Sequence, residues 1–222
     1  SAGGFQTAGG TLDYFKSMLN GCYDESGHLK EGMEATAEYA LNELNTAMGT
    51  DYSTEFIAQA ENSKQALEDI NGAIDQNIEK LKQQAIAQAF QKDYPAALKV
   101  YRRLDTLCPE DAEIALHMGE CMLQQERYDD ARKVLFKAYY LKQDAPAIWR
   151  ALAWCSLMTD HVDEARTYYA KLLEHDPRAE DLQNAGHAAW LAGSAGEALG
   201  LYLRYMHAKD SDYDPARLFD DD

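Results

Sequence analysis

A short motif that ends in alanine occurs four times at a nearly constant spacing in the second half of the chain. The alanines are separated by 34, 34 and 33 residues, and an apolar residue follows each of them after four and after seven positions. Apolar residues at this spacing lie on one face of an α-helix. The four alanines are Ala97, Ala131, Ala165 and Ala198. A period of this length predicts a stack of copies of one structural unit.

A second small residue stands twelve positions before each of these alanines. The four small residues are Ala85, Gly119, Ala153 and Gly186. Small side chains at this separation allow two antiparallel helices to approach closely. Pro109 and Pro177 then follow Ala97 and Ala165 after twelve residues, where a proline ends one helix pair and begins the next. The sequence therefore predicts an all-α chain built from helix hairpins.

This layout resembles the tetratricopeptide repeat, a helix-turn-helix unit of 34 residues. The fullest copy of the pattern reads Trp149-x2-Leu152-Ala153, then Ala165-x3-Tyr169, then Pro177. The resemblance implies a right-handed α-solenoid of four hairpins with an N-terminal helical extension. The four repeats are expected at about residues 78–111, 112–145, 146–178 and 179–209.

The flanks of the array carry no copy of the repeat motif. We expect a flexible leader over residues 1–10 and helices over 11–77 that pack on the end of the array, since few large apolar residues are available there for a separate core. One of these helices should run from Leu29 to Met48 and stop at Gly49. Another should begin at Asp51 or Ser53 and end at a break at Asn71-Gly72. The acidic segment 210–222 is expected to be disordered.

The net charge of −17 is concentrated in the flanks. Residues 1–77 carry 13 acidic and 3 basic side chains, and residues 210–222 carry six Asp and one Arg, so the array itself has a charge of only −2. Nucleic acids and anionic membrane surfaces both require clustered Lys and Arg. We therefore predict neither partner. No apolar run approaches the roughly 18 residues of a membrane-spanning helix, which predicts a soluble protein.

The four cysteines show no paired spacing of the kind that a zinc site or a disulfide framework needs. His117 and Cys121 stand one helical turn apart, but a small buried cysteine explains that spacing equally well. We expect no metal, no cofactor and a reducing, cytoplasmic location. The sequence also lacks the nucleophile-elbow, phosphate-loop, zincin and dinucleotide-binding motifs, so we predict that the chain is not an enzyme.

The resemblance implies a binding groove lined by the first helix of each pair. Projection of the sequence onto that geometry selects two tryptophans, one arginine and two histidines, which are residue types that dominate protein interfaces. For Trp154 and Trp190, packing against the next repeat is the alternative to facing the groove. The predicted groove residues are Lys82, Ile86, Phe90, His117, Glu120, Gln124, Arg150, Trp154, Leu157, Met158, Asn184, His187 and Trp190.

These observations favour a scaffold that binds a peptide or protein segment in the groove. The clamp with which some such repeats hold an acidic chaperone tail is disfavoured, because Ile86 and Glu120 occupy positions where that clamp needs asparagine or a neutral donor. Two alternatives remain: a secretion-type chaperone for an aggregation-prone partner, and a non-catalytic interaction module of a larger protein. Self-association through the groove or the C-terminal tail is a further expectation.

Overall fold

The computed structural model describes residues 10–208 and Ser211. The predicted leader and the acidic tail therefore lie almost entirely outside the described residues. Within the described part, all regular elements are helices, apart from one antiparallel bridge between Tyr23 and Leu29. The helices are α1 Gly10–Gly21, α2 Glu34–Met48, α3 Thr54–Gln59, α4 Ser63–Phe90, α5 Tyr94–Leu107, α6 Ala112–Gln124, α7 Tyr128–Leu141, α8 Pro146–Met158, α9 Val162–Leu173, α10 Ala179–Leu191 and α11 Ala195–His207.

The chain divides into two compact units, with the boundary between Ile114 and Ala115. In the first unit, helices α1 to α4 enclose a hydrophobic core, and α1 also packs against α5. These helices bury more large apolar side chains than the sequence analysis expects. The fully buried members of this core include Leu19, Leu41, Ile57 and Ile70.

Two of the predicted helix limits in the first unit are confirmed and two are wrong. Gly49 ends α2 in the left-handed conformation, and the Ser53 side chain caps α3 by accepting from the Phe56 N–H. However, α2 begins at Glu34 rather than at Leu29. A new helix also starts at Ser63, behind the cap residue Asn62, and it continues to Phe90 without a break at Asn71-Gly72.

Helix α4 continues through Asn71-Gly72 because tertiary contacts hold Asn71 and the residues on either side of this dipeptide. Ile70 and Ile74 are both buried in the core, one turn apart. The Asn71 side chain donates to the Asn20 side chain of α1 over 2.9 Å. A glycine inside a helix costs only about 1 kcal/mol, so this packing outweighs the local preference for a turn.

In the second unit, the predicted close approach of paired helices is present at both glycines. The signature alanines Ala131, Ala165 and Ala198 are fully buried. A Cβ atom placed on Gly119 would lie 2.4 Å from Cδ2 of Leu135, and one placed on Gly186 would lie 2.7 Å from Cε1 of Tyr202. A Cβ atom at these distances would force the Leu135 or Tyr202 side chain to move, so the close packing of the two helices in each of these pairs depends on glycine.

The turn inside each of the four hairpins contains one residue with positive φ, five positions before the signature alanine. In the first hairpin the residue is Lys92, and the N–H of the next residue, Asp93, donates to the Gln88 carbonyl oxygen over 2.9 Å. The same type of bond, which closes a Schellman helix end, recurs in the other three hairpins. The four residues and their φ angles are Lys92 (63°), Glu126 (57°), Asp160 (60°) and Gly193 (80°).

Ion pairs connect the second helices of successive hairpins in the second unit. Arg132 on α7 donates to both oxygens of Glu164 on α9, with the shorter contact at 3.0 Å. Arg166 on α9 forms a single ion-pair contact with Glu197 on α11. Each arginine directly follows a signature alanine, and each glutamate directly precedes the next one. The period of the sequence thus places complementary charges side by side.

Candidate functional site

A surface cavity of about 580 Å³ lies in the second unit, against the first helices of its hairpins. Its walls come from α6, from the turn after α6, from α8 and from the beginning of α10. Charged and aromatic side chains predominate in the lining. They include Glu120, Glu126, Tyr128, Arg150, Trp154 and Glu180.

The repeat pattern explains why Glu120 and Trp154 reach this cavity. Each follows directly after the small residue of its helix, Gly119 in α6 and Ala153 in α8. These small residues are buried against the second helix of the hairpin. The next position lies about 100° further round the helix, which turns the side chain away from that contact. Trp154 keeps 36% of its surface exposed.

Arg150 and Asp181 form a bidentate ion pair that joins α8 to α10. Nε and one terminal nitrogen of Arg150 donate to the two carboxylate oxygens of Asp181, both over 2.7 Å. The Asp181 side chain is 1% exposed, and it also accepts the Arg178 N–H at the start of α10. The hydrogen bond to Asp181 raises the pKa of Arg150, although burial opposes the shift. This contact gives Arg150 a structural role that the sequence analysis did not predict.

Two histidines from the predicted groove contact residues of their own hairpins. His117 Nδ1 lies 2.9 Å from a carboxylate oxygen of Glu120, one turn further along α6. His187 Nδ1 lies 2.8 Å from the Tyr202 hydroxyl on α11, and the two rings meet edge to face. The first contact orients a carboxylate that lines the cavity, whereas the second connects the two helices of the last hairpin.

The structure brings four of the predicted groove residues together at this cavity, namely Glu120, Gln124, Arg150 and Trp154. Met158 and Trp190 are exposed but are not among the lining residues, and Trp190 has 61% of its surface exposed. Leu157 and Asn184 are buried and offer little surface to a partner. Trp190 and Leu157 occupy the same position of the repeat, eight residues before the signature alanine. The side chain at this position is therefore buried in the third repeat and exposed in the fourth.

The other three predicted groove residues belong to the first unit, where they lie on α4. Lys82 donates to Asp111 over 2.9 Å, and Asp111 also accepts the N–H groups of Glu113 and Ile114 at the start of α6. Ile86 and Phe90 are exposed, Phe90 with 88% of its surface. Lys82 is therefore held in an ion pair, whereas the two apolar side chains are accessible.

Several residues that line the cavity were not among the predicted groove residues. Among them, Glu126 lies in the turn of the second hairpin and Tyr128 is the first residue of its second helix, α7. Arg178 and Glu180 lie at the start of the last hairpin. Projection of the first helices selects residues by their angle round the axis. It therefore does not find Glu126 and Arg178, which lie outside the helices, or Tyr128, which belongs to a second helix. The signal in the sequence that could have located this turn is Gly193, which stands at the position of Glu126 in the last repeat and is typical of a left-handed turn residue.

The buried cysteines of this unit are poor nucleophiles. Burial raises the pKa of both Cys121 and Cys155 to about 11, which disfavours the reactive thiolate. His117 and Cys121 do occur one turn apart, as the sequence indicates. Among the residues that the structure describes, however, no group of three or more His, Cys, Asp or Glu side chains is arranged to hold a metal ion.

Comparison with known protein families identifies the repeat. Residues 91–155 match the family model described as tetratricopeptide repeat. These residues are tetratricopeptide repeats. The resemblance noted in the sequence is thus confirmed, and the match covers the later part of the first predicted repeat, the second repeat and most of the first helix of the third.

A curated relative and two solved structures resemble the chain. PsbB mRNA maturation factor Mbb1, a chloroplastic protein of Chlamydomonas reinhardtii, is 34% identical over an alignment of 84 residues. The match covers 34% of this chain and only 12% of that protein. A crystal structure of MamA matches 66% of this chain and 86% of its own at 18% identity, with a TM-score of 0.55. A second MamA structure, AMB-1, matches 89% and 98% at 14% identity, with a TM-score of 0.54.

These likenesses confirm the all-α, tetratricopeptide-type fold class. The identities to MamA are low, so they inform the fold alone. Between Gly10 and Ala208, no helix is both long enough and apolar enough to cross a membrane.

Proposed function

We propose that this chain binds another polypeptide and that the cavity of the second unit is one of its contact sites. The observation that carries the proposal is the exposed face of Trp154 among the polar residues of the cavity. Tetratricopeptide arrays present extended surfaces to their partners, and tryptophan is one of the residues that contribute most to protein interfaces. Ile86 and Phe90 of the first unit are proposed as a further apolar contact.

We assign the chain a binding role without catalysis. The raised pKa of Cys121 and Cys155 argues against cysteine nucleophiles in the second unit, and the sequence carries no catalytic motif. A reducing, cytoplasmic environment is proposed because all four cysteines are free thiols. The secretion-chaperone and interaction-module roles both suit a polypeptide-binding array, and they stay predictions, as does self-association.

A protein or peptide partner fits the charge of the chain better than a polyanion does. The net charge of −17 opposes binding to nucleic acid and to anionic lipid. The mRNA in the name of Mbb1 is a property of that relative, and this chain covers 12% of its length. We therefore propose that neither RNA nor a membrane is the partner.

The proposal is tested by capture of partners from a native lysate with Trp154→Ala as the bait. Tyr140→Ala serves as the matched control, since Tyr140 is 81% exposed on α7 and is not among the residues that line the cavity. We expect the wild type and the control to retain the same proteins and Trp154→Ala to lose a subset of them. Circular dichroism of the three baits should show equal helical content. Retention of every partner by a folded Trp154→Ala variant would refute this assignment of the cavity.

A further inference from the structure

We infer that the cavity of the second unit selects a basic peptide segment and holds a Lys or Arg side chain of that segment on the face of Trp154. This inference rests on the proposed binding function and specifies the chemistry of the partner. It depends on the balance of charge in the cavity, on its aromatic side chains and on the charge of the whole chain.

Acidic side chains predominate in the cavity once the internal ion pair is considered. The carboxylates of Glu120, Glu126 and Glu180 line it, together with the guanidinium groups of Arg150 and Arg178. Arg150 is committed to the buried Asp181 through two bonds of 2.7 Å, so its charge is already compensated. Three carboxylates therefore face one remaining guanidinium group, and the cavity has an excess of negative charge.

Aromatic side chains in the cavity favour the binding of a cationic side chain in addition to the negative charge. Trp154 and Tyr128 both line the cavity, and Trp154 has 36% of its surface accessible. Cations bind to the face of tryptophan more strongly than to other aromatic rings, and arginine is the commonest partner. A Lys or Arg side chain can therefore lie on the indole ring while its charged end meets the carboxylates.

One of the carboxylates that line the cavity, that of Glu120, has a restricted orientation. Glu120 contacts His117 Nδ1 over 2.9 Å, which limits the rotation of its side chain. Glu180 stands in the first turn of α10. Glu120 belongs to the second repeat and Glu180 to the fourth, so an extended peptide that lies across the cavity would meet negative charge from both repeats.

The charge of the whole chain supports the same partner. A net charge of −17 attracts cationic segments over long range and accelerates their association. An acidic segment would be repelled by the chain as a whole and would then meet three carboxylates in the cavity. Charge complementarity thus favours a basic peptide over an acidic or a neutral one.

The test uses the full chain and synthetic peptides of 12 residues with matched apolar content and net charges of +4, 0 and −4. Fluorescence anisotropy at physiological ionic strength measures their affinities. We expect the wild type to bind the +4 peptides most tightly. The triple variant Glu120→Gln, Glu126→Gln, Glu180→Gln should weaken this binding about tenfold, because it removes three charge contacts, and Trp154→Ala should weaken it as well.

A control variant with the same change of net charge separates the cavity from the general charge of the chain. Asp144→Asn, Asp163→Asn, Glu174→Gln alters three exposed carboxylates of the second unit outside the cavity. We expect this control to bind the +4 peptides within about twofold of the wild type. Equal losses in the two triple variants, or a preference for neutral or acidic peptides, would overturn the inference.

The failure of this inference can be told apart from the failure of the proposed function. If Trp154→Ala loses captured proteins but the +4 peptides show no preference, the cavity binds a polypeptide of another chemistry. If Trp154→Ala retains every captured protein, the cavity is not the binding site. The capture experiment tests whether the cavity binds proteins, and the anisotropy experiment tests whether it prefers basic peptides. Each result can therefore be interpreted independently of the other.

Discussion

The guanidinium group of Arg150 and the carboxylate of Asp181 face each other in a bidentate pair that connects the first helices of two successive hairpins. Because the Asp181 side chain is only 1% exposed, its charge depends on this arginine for compensation. The pair lies directly beside the cavity that we propose as a binding site. A substitution of Arg150 therefore tests the stability of the unit as well as its surface.

We expect Arg150→Ala to lower the free energy of unfolding by about 3 kcal/mol, because it leaves a carboxylate buried without its partner. Chemical denaturation followed by circular dichroism measures the loss. The double variant Arg150→Met, Asp181→Asn should recover a substantial part of it, since the buried charge is also removed. A folded Arg150→Ala variant with wild-type stability would show that the pair contributes little.

Gly119 and Gly200 are both helical glycines, but we expect opposite results when each is replaced by alanine. In Gly119→Ala the new Cβ meets Leu135 at 2.4 Å, and such overpacking costs about 1–3 kcal/mol. In Gly200→Ala the Cβ has no neighbour within 4 Å, and the better helix propensity of alanine should add about 0.5–1 kcal/mol. Thermal unfolding of the two variants should show melting temperatures on either side of that of the wild type.

Lys92→Gly should stabilise the first unit, because Lys92 has a φ of 63°. The left-handed conformation costs a residue with a side chain about 1 kcal/mol relative to glycine. Lys99→Gly is the control with the same change of charge, since Lys99 is exposed within α5 and glycine there should cost about 1 kcal/mol. Urea unfolding of both variants checks the sign. A loss of stability in Lys92→Gly would contradict the assigned conformation.

The ion pair between Lys82 and Asp111 should contribute to the acid sensitivity of the first unit. Burial alone would raise the pKa of Asp111, but the hydrogen bond and charge of Lys82 and two backbone N–H groups lower it below the ordinary value of 3.8. A carboxyl whose pKa is depressed by folding stabilises the fold above the unfolded pKa and loses this effect as the pH falls through the folded pKa.

We therefore expect the difference in unfolding free energy between the wild type and Asp111→Asn to be full at pH 6 and to shrink as the pH falls below about 4. Urea titrations at several pH values measure this difference. Lys82→Met should show the same pH dependence, since it removes the other partner of the pair. A difference that stays constant across this range would show that the ionised form of Asp111 is not preferentially stabilised by the fold.

The repeat register could be predicted from the sequence because small residues leave a direct signal. Ala131, Ala165 and Ala198 are fully buried as expected, and a helix crossing requires a small residue at that point. The break expected at Asn71-Gly72 was wrong for the opposite reason. The contact between Asn71 and Asn20 joins residues 51 positions apart, so local preference at that dipeptide gave no information about it.

The cavity could be predicted only in part for a similar reason. Helical periodicity identifies Glu120 and Trp154 as accessible side chains, because their angle round the helix follows from the buried neighbour. Whether Arg150 is available to a ligand depends on Asp181, which lies 31 residues further along the chain. That contact is fixed by the packing of one repeat on the next, and a single-helix projection contains no such information.

The ion pairs between second helices also have a consequence for changes in repeat number. Arg132 meets Glu164, and Arg166 meets Glu197, at the same two positions of the repeat. If the third repeat were deleted in register, Arg132 would meet Glu197, and the charge pairing would be conserved. Duplication of that repeat would likewise create a new pair of the same kind. The second helices can thus keep their charge pairing when this repeat is gained or lost, whereas a deletion would also remove Arg150 and leave the buried Asp181 without its partner.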